Sequence, residues 1–281
     1  TVDALIISPE RLANSDFVKD CLDKIKNRVN LFVVDEAHCI SQWGQDFRPS
    51  YMDIAEFINI LGKRPIISAF TATATQNVRE DIICSLGLSD PYFLDRENLF
   101  FQVDKPQNKD RFILDYIERH RGESGIIYCA TRKNVDSLYT LLRKQHISVA
   151  KYHAGMSNEE RKQMQDDFVF DYTSIVIATN AFGMGIDKSN VRFVIHYNMP
   201  SSMENYYQEA GRAGRDGLNS ECILLFSPQD IIINRFLLEH KDFSDIDPID
   251  AMTIRERDIK RLHIMEGYCY TTECLRNYIL K

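Results

Sequence analysis

Short runs of β-branched and apolar residues alternate with amphipathic segments of helix length along most of this 281-residue chain. Alternating strands and helices with continuously apolar strands are typical of a parallel sheet that helices cover on both faces, so the sequence predicts an α/β fold. In such sheets ligands bind at the carboxyl ends of the strands. The predicted strands are Ala4–Ile7, Leu31–Val34, Ile66–Ala69, Leu99–Val103, Ile126–Tyr128, Val149–Tyr152, Ser174–Ile177, Phe193–His196 and Cys222–Phe226, and the predicted helices between them include Asp110–Arg119, Asn134–Lys144, Glu159–Phe168 and Met203–Ala210.

Two breaks in this pattern divide the chain into three predicted parts. The run Leu99–Val103 follows the first break, and after Ser227-Pro228 the pattern is helical only. We therefore predict that residues 1–97 form the carboxyl-terminal part of one α/β domain and residues 98–228 a complete second one. Residues 229–281 are predicted to form a helical segment.

The composition bounds the class of protein. Hydrophobic residues make up 44% and charged residues 27% of the chain, which is typical of a folded globular protein. No apolar run approaches the ~18–20 residues that span a bilayer, and no signal peptide is predicted. The seven cysteines are scattered without a C-x-x-C pair, which favours a reducing, cytoplasmic compartment. The net charge of −7 argues only weakly against nucleic-acid binding, because phosphate contacts depend on the local placement of Lys and Arg.

Two adjacent carboxylates, Asp35 and Glu36, come directly after the apolar run Leu31–Val34. At the carboxyl end of a strand, Asp35 can hold Mg²⁺ through a bound water, and Glu36 can orient or deprotonate an attacking water. The alternative, an acidic surface turn, is disfavoured because four apolar residues lead directly into the D-E-A-H pattern. The pattern by itself indicates a nucleotide hydrolase.

Arg212 and Arg215 lie three residues apart in the segment Gln208–Gly217, with small residues between them. In a short helical turn the two arginines would share one face. Such a pair can present guanidinium groups across a cleft to a γ-phosphate, as arginine fingers do, and Arg215 is the better candidate. The alternative of a solvated basic turn is disfavoured by the acid pair upstream.

The chain resembles the bacterial type of RecQ helicases, in superfamily 2. Its most specific likeness is the aromatic-rich segment Cys39–Pro49, which is similar to the loop that RecQ helicases carry directly after D-E-A-H. RNA helicases of the DEAD and DEAH types share the acid pair and the arginines but not this loop. An RNA-directed helicase and a non-catalytic nucleic-acid-binding fragment are the two alternatives. The segments that follow the order of the superfamily motifs are Asp35–His38, Phe70–Thr75, Tyr152–Met156, Ala178–Asp187 and Gln208–Gly217.

The resemblance implies two RecA-like domains, the first truncated at its amino terminus, followed by the start of a helical zinc-binding subdomain. It implies an ATP-dependent DNA helicase that uses Mg²⁺, moves 3′→5′ along single strands and acts in DNA repair and recombination. The expected partners are single-stranded and forked duplex DNA, and no association with a membrane is expected. The expected state is a monomer in the cytoplasm, associated with the bacterial nucleoid.

By match to the family motifs, the resemblance also assigns roles to single residues. Asp35 is expected to hold Mg²⁺, and the loop after D-E-A-H to sense single-stranded DNA. The expected catalytic residues are Asp35, Glu36, His38, Gln208, Arg212 and Arg215; the expected nucleotide contacts are Gly185 and Asp187; and the expected DNA-binding or coupling residues are Trp43, Phe47, Arg48, Thr71, Thr73, Thr131, Arg132, His153 and Thr179.

Four of these side chains have structural alternatives. Trp43 and Phe47 can stack on bases or anchor their loop in a domain core. Thr131, which follows a predicted strand, can bind a DNA phosphate or cap the helix that begins there. A satisfied structural histidine is at least as good an interpretation of His153 as a DNA contact.

Thr71 and Thr73 follow the predicted strand Ile66–Ala69 and are similar to the family's motif that links hydrolysis to strand opening. Their hydroxyl groups could bond Asp35 or His38 across the strand ends.

Two features of the family are expected to lie outside residues 1–281, wholly or in part. The G-x-x-x-x-G-K-[ST] phosphate loop is expected upstream of Thr1, so this chain alone is expected to be inactive as an ATPase. Cys274 resembles the first of four zinc ligands, and the other three are expected beyond Lys281. Zn²⁺ is therefore expected only in the full-length protein.

Overall fold

The computed structural model describes residues 3–12, 24–25, 27–41, 48–71, 76–89, 96–183, 188–241 and 248–280. The chain divides into two compact units. The first consists of residues 1–94 with the last two residues, and the second of residues 95–279.

The first unit contains two parallel strands, β1 (Leu31–Val34) and β2 (Ile66–Ala69), which pair in register from Leu31 and Ile66 onward. Two helices, α1 (Asp53–Ile60) and α2 (Gln76–Leu86), supply most of its core. Short 3-10 turns at Pro9–Arg11, Ala37–Ile40 and Pro49–Tyr51 connect these elements. The core-forming side chains include Val34, Ile54, Phe57, Ile82 and Leu86.

The predicted strand Ala4–Ile7 is wrong. Residues 4–8 have no regular secondary structure, and Ile6 is 97% exposed. A β-branched run becomes a strand only when a neighbouring strand satisfies its backbone groups, and among the described residues β1 and β2 pair only with each other. The strands predicted at Leu31–Val34 and Ile66–Ala69 are confirmed.

The second unit is built on a six-stranded sheet in which every neighbouring pair of strands is parallel. The strands are β3 (Leu99–Asp104), β4 (Ser124–Tyr128), β5 (Val149–Tyr152), β6 (Ile175–Ala178), β7 (Val191–His196) and β8 (Ser220–Leu225), and the helices among them are α3 (Lys109–Arg119), α4 (Arg132–Lys144), α5 (Asn158–Val169) and α6 (Met203–Ala210). The strands lie in the order β3-β8-β7-β4-β6-β5. Each predicted strand of this unit is confirmed: β5 has the predicted ends, and the others have one or both ends moved by one or two residues.

The two faces of this sheet pack into two separate clusters. Ile126 and Val194 belong to one cluster, whereas their chain neighbours Ile127 and Ile195 belong to the other. Successive side chains of a strand point to opposite faces, so a strand that is apolar at every position must be covered on both. Both α/β units therefore show the parallel sheets that the apolar strands predict.

Capping residues fix where several helices begin. The Ser157 hydroxyl accepts from the Glu160 backbone N–H, and the Glu160 carboxylate accepts from the Ser157 N–H, which starts α5. Ser227 and Asp230 form the same reciprocal pair at the start of the helix that follows β8. Such caps satisfy amide groups that the first turn of a helix leaves unpaired.

Three further helices follow the sheet: α7 (Pro228–Glu239), α8 (Pro248–Tyr270) and α9 (Leu275–Leu280). Leu262, Met265 and Tyr268 of α8 are buried in the cluster on one face of the second sheet. These helices therefore share the core of the second unit, and the predicted limits of three domains stay a prediction. Within the ranges that the structure covers, no helix has both the length and the apolar character needed to cross a membrane.

Candidate functional site

Asp35 and Glu36 lie directly beyond the carboxyl end of β1, and both are exposed. The Glu36 backbone N–H donates to Asp35 Oδ1 at 3.0 Å. Glu36 adopts the left-handed conformation, with φ at 49°. Carboxylate oxygens are the ligands that Mg²⁺ prefers, and both side chains are open to solvent. These two residues therefore fit a magnesium ion and an attacking water.

His38 connects the end of β1 to the end of β2. Its Nδ1 lies 3.0 Å from the Thr71 hydroxyl and 3.3 Å from Glu36 Oε2, and the ring is buried. Backbone bonds join the same strand ends, from Ala37 N–H to Phe70 O at 2.8 Å and from Phe70 N–H to the last residue of β1 at 2.8 Å. The contact with His38 is one of those predicted for the Thr71 hydroxyl. Thr73 lies outside the described residues.

Of the predicted DNA-sensing loop, the structure describes only its two ends. Arg48 is exposed, and its backbone N–H donates to Cys39 O at 3.1 Å. The next turn places the Tyr51 hydroxyl 3.2 Å from the backbone oxygen of Asp35. Trp43 and Phe47 lie outside the described residues. The turn that follows the loop is thus in direct contact with the backbone of Asp35.

In the second unit, α6 ends at Ala210, and the arginines lie in a non-helical turn that follows it. We call Gly211–Gly217 the arginine turn. Gly214 has φ at +55°, a left-handed conformation that glycine adopts without strain. The two arginines therefore do not share one face of a helical turn as predicted, because the backbone reverses between them.

The two arginines have different environments. Arg212 is half-buried, and its Nη1 donates to Gly183 O at 2.6 Å. A Cβ atom at Gly183 would lie 2.2 Å from Arg212 Nη2, so the glycine lets the guanidinium pass close to the backbone. Arg215 and Gln208 are exposed. Arg212 therefore holds the loop after β6, whereas the Arg215 side chain is exposed.

Gly185 and Asp187, the predicted nucleotide contacts, lie outside the described residues. Thr179, which follows β6, is buried, and its backbone N–H donates to Tyr152 O at 3.1 Å. This bond continues the pairing of β5 and β6 beyond their last residues.

At the start of α4, the Thr131 hydroxyl accepts from the Asn134 backbone N–H at 3.2 Å. This is the capping alternative considered for Thr131. The Asn198 side-chain oxygen accepts from the Ala130 N–H at 3.1 Å, so a second amide at this helix start also has a protein partner. Arg132, the first residue of α4, is exposed.

His153 has the contacts of a structural histidine. It is buried, its Nδ1 accepts from the Gly155 N–H at 3.2 Å, and its Nε2 lies 3.4 Å from Asp136 Oδ1. Lys151 Nζ donates to the same oxygen at 2.6 Å. The hydrogen bond from Lys151 and, to a smaller extent, the one with His153 hold the pKa of Asp136 below its usual value. Both ring nitrogens of His153 therefore face protein partners.

The sequence patterns missed two groups of residues near the arginine turn. Arg96 and Asn98 donate to its backbone oxygens from a position more than a hundred residues upstream. His196 Nε2 and Glu209 Oε2 form a buried pair at 2.8 Å, just before the turn. The sequence held one signal for these four residues, namely that Glu209 lies inside the Gln208–Gly217 motif.

Cys274, the predicted first zinc ligand, is exposed. In the part of the chain that the structure describes, no group of three or more His, Cys, Asp or Glu side chains is arranged to hold a metal ion. Cys269, the nearest cysteine in sequence, is buried, and burial raises the pKa of its thiol to about 12. The described residues do not fit a zinc site, so a zinc role for Cys274 remains a prediction.

Two family models match the chain. The model described as DEAD/DEAH box helicase matches residues 1–81, and the helicase conserved C-terminal domain matches residues 108–217. The acid pair lies within the first match, and both arginines lie within the second.

Among curated proteins, the chain is 48% identical over 278 residues to the ATP-dependent DNA helicase RecQ of Bacillus subtilis, covering 98% of this chain and 45% of the relative. It is 40% identical over 247 residues to RecQ of Pasteurella multocida, covering 85% of this chain and 38% of that relative. The chain thus spans less than half the length of these two relatives.

Among solved structures, a Saccharomyces cerevisiae Dbp5 variant bound to Gle1 and IP6 is similar in fold, with a TM-score of 0.61 at 21% identity. The match covers 92% of this chain and 69% of that chain. This likeness supports the predicted pair of RecA-like parallel-sheet domains. The zinc-binding subdomain remains a prediction.

Proposed function

Because the chain belongs to the RecQ family, we propose that the protein containing it hydrolyses ATP to move along single-stranded DNA and to separate duplexes. The proposal rests above all on the acid pair at the end of β1. Asp35 and Glu36 are exposed there, and the bond between His38 and Thr71 connects them to the end of β2.

In the first unit, we assign Asp35 to Mg²⁺ through a bound water and Glu36 to the attacking water. Mg²⁺, when bound, neutralises charge on the phosphates. Glu36 accepts the proton of the water at its exposed carboxylate, and the contact of its Oε2 with His38 limits the orientations of that side chain. His38 is a positioning residue in this scheme, because it acts through Glu36 and Thr71.

In the second unit, we assign Arg215 to the charge that develops on the transferred phosphate. An arginine in this role must be open to a ligand, and Arg215 is exposed. Arg212 donates to Gly183 O and thereby holds the segment that leads to Gly185 and Asp187, the proposed nucleotide contacts. Gln208 is exposed on α6 and is assigned to the same nucleotide.

For DNA, we propose that Trp43, Phe47 and Arg48 contact bases and phosphates. The bond from Tyr51, just after this loop, to Asp35 O supports a role in relaying DNA binding to the acid pair. Arg132 is the better DNA candidate at the start of α4, because the Thr131 hydroxyl already caps the helix. For His153 and Thr179 the burial of both side chains favours a structural role over direct contact.

Finer properties are proposed from the family alone. They are 3′→5′ movement, action on forked duplexes in repair and recombination, a monomeric state, and a reducing cytoplasmic location near the bacterial nucleoid. A zinc ion held partly by Cys274 in the full-length protein belongs to the same group of proposals.

The test is ATP turnover and strand separation by the full-length protein, with single-stranded DNA or RNA of the same sequence as activator. We expect DNA to stimulate turnover more than RNA. We expect Glu36→Gln to lower turnover by about 10²–10⁴-fold while nucleotide binding persists. Glu56→Gln, an exposed glutamate on α1, is the matched control and should leave turnover unchanged. Stronger stimulation by RNA would favour an RNA-directed helicase, and DNA binding without turnover would favour a non-catalytic binding protein.

A further inference from the structure

The arginine turn is held by a guanidinium from the start of the second unit. Arg96 Nη1 donates to Gly211 O at 3.3 Å, and Arg96 Nη2 donates to Ala213 O at 2.6 Å and to Gly214 O at 2.9 Å. These carbonyl groups follow the end of α6, where a continuing helix no longer supplies their donors; Gly214 O also accepts from the Gly217 N–H at 3.0 Å. A guanidinium is suited to this place because it offers five donors in a fixed plane and a charge that favours a helix carboxyl terminus.

Asn98, two residues further along the chain, holds the same turn. Its Nδ2 donates to Gly214 O at 2.8 Å and to Leu218 O at 2.9 Å. Its side-chain oxygen accepts from Arg96 Nε at 3.3 Å, so the two side chains also fix each other. The residue pair therefore contacts the turn as a unit, on both sides of the reversal at Gly214.

The backbone that carries Arg96 is itself held by helix α9. Arg276 Nη1 donates to Arg96 O at 2.9 Å, and Arg276 Nη2 donates to Glu97 O at 3.4 Å and to Leu99 O. The Arg276 guanidinium also lies over the Phe101 ring, 5.5 Å from its centroid. A continuous series of contacts thus runs from α9 through Arg96 to the arginine turn.

The close packing at Gly214 makes the position of the turn sensitive to these contacts. A Cβ atom at Gly214 would lie 2.5 Å from Asn98 Nδ2 and 2.7 Å from Ser220 Oγ. Arg215 is the next residue, so the direction in which its side chain leaves the turn depends on how Gly214 is held. Arg215 itself is exposed.

We propose that Arg96 is a positioning residue for the arginine turn. It fixes the backbone on which Arg215 stands before any nucleotide binds, and it touches no substrate itself. Asn98 completes the contact, and Arg276 keeps the backbone of Arg96 in place. This inference rests on the proposed function of Arg215, but the contact between Arg96 and the turn can be tested without it.

The first measurement is amide hydrogen exchange of the nucleotide-free full-length protein. In Arg96→Gln the amides of residues 212–217 should exchange faster than in the wild type, while those of β6 and β7 stay protected. Arg121→Ala is the matched control, because this exposed arginine of the same unit forms a surface ion pair with Glu118. Faster exchange throughout the second unit, or no change in residues 212–217, would overturn the proposal.

The second measurement separates positioning from a general anchoring role. In Arg96→Gln we expect kcat for ATP to fall by on the order of 10²-fold with KM unchanged, because misplacing a group on this scale affects the transition state most. Arg96→Lys should recover part of kcat, and Asn98→Ala should lower kcat less than Arg96→Gln does. If Arg96→Gln does not fold, these two milder variants carry the test. A fall in kcat accompanied by an equal-fold rise in KM would overturn the proposal.

The two measurements also separate this inference from the proposed function. A wild-type protein without DNA-stimulated turnover would sink the proposed function, whereas the exchange result would still decide whether Arg96 holds the turn.

Discussion

His38 Nδ1 lies 3.0 Å from the hydroxyl of Thr71, a residue 33 positions further along the chain, across the ends of two parallel strands. The imidazole also faces Glu36, the proposed base, at 3.3 Å. A change at the end of β2 can therefore reach the acid pair through a single side chain.

We expect Thr71→Val to weaken this connection without altering the volume of the side chain. The buried imidazole loses a hydrogen-bond partner, so the free energy of unfolding should fall by about 1 kcal/mol. In the full-length protein, strand separation should fall more than ATP turnover does. Urea unfolding and parallel unwinding and ATPase assays measure the two effects. Thr71→Ser keeps the hydroxyl and is the control; if it behaves like Thr71→Val, the hydroxyl is not the connection.

Removing Arg215 and removing Arg212 should have different effects on turnover and stability. Arg215→Ala should lower turnover by about 10³–10⁵-fold with nucleotide affinity nearly unchanged, because the guanidinium acts on charge that develops in the transition state. Arg212→Ala should also reduce stability, since it leaves Gly183 O without its donor. Steady-state kinetics, nucleotide titration and thermal unfolding distinguish the two. Equal losses of affinity and turnover in Arg215→Ala would assign the finger role to Arg212.

Two glycines of the same turn provide a matched pair of substitutions. Both have positive φ, +55° at Gly214 and +83° at Gly217, but only Gly214 is crowded by neighbouring atoms. Gly217→Ala should lower the free energy of unfolding by about 1–2 kcal/mol, from backbone strain alone. Gly214→Ala should lose a further 1–3 kcal/mol or so from overpacking against Asn98 and Leu218. Denaturant unfolding of both variants is the measurement, and equal losses would show that the turn yields freely at Gly214.

The cysteines should fall into two classes of reactivity. Burial raises the pKa of the Cys222 and Cys269 thiols to about 12, so almost no thiolate is present at pH 8. Cys84 and Cys274 are exposed and should react rapidly with a thiol reagent. Time-resolved labelling followed by peptide mass spectrometry assigns each rate. Rapid labelling of Cys269 in the folded protein would mean that the second half of α8 opens readily.

Local patterns were sufficient for most of the strands, though not for Ala4–Ile7, and for one contact of the site. The apolar runs Leu31–Val34 and Ile66–Ala69 become strands with the predicted ends. Because parallel strands bring their carboxyl ends together, the residues after them could be expected to meet, and His38 and Thr71 do so. Periodicity and strand-end rules depend only on near neighbours in sequence, and that is why they succeeded.

The arginine turn could not be predicted in the same way. Spacing alone placed Arg212 and Arg215 on one helical face, but the left-handed conformation at Gly214 reverses the chain between them. The bonds from Arg96 join side chain and backbone atoms that are 115 to 118 residues apart in the chain. A contact between one guanidinium and carbonyl groups leaves no periodic pattern in the sequence, because any residue can supply the carbonyl.

Glu36 occupies a backbone conformation that suits glycine better than glutamate, with φ at 49°. For a side chain with a Cβ atom this conformation is unfavourable by about 1–3 kcal/mol, and glycine would relieve it. At this position, thermal stability and ATP turnover are therefore expected to favour different residues. Selecting variants of this protein for thermostability alone would favour Glu36→Gly, a variant that melts later and lacks the proposed base.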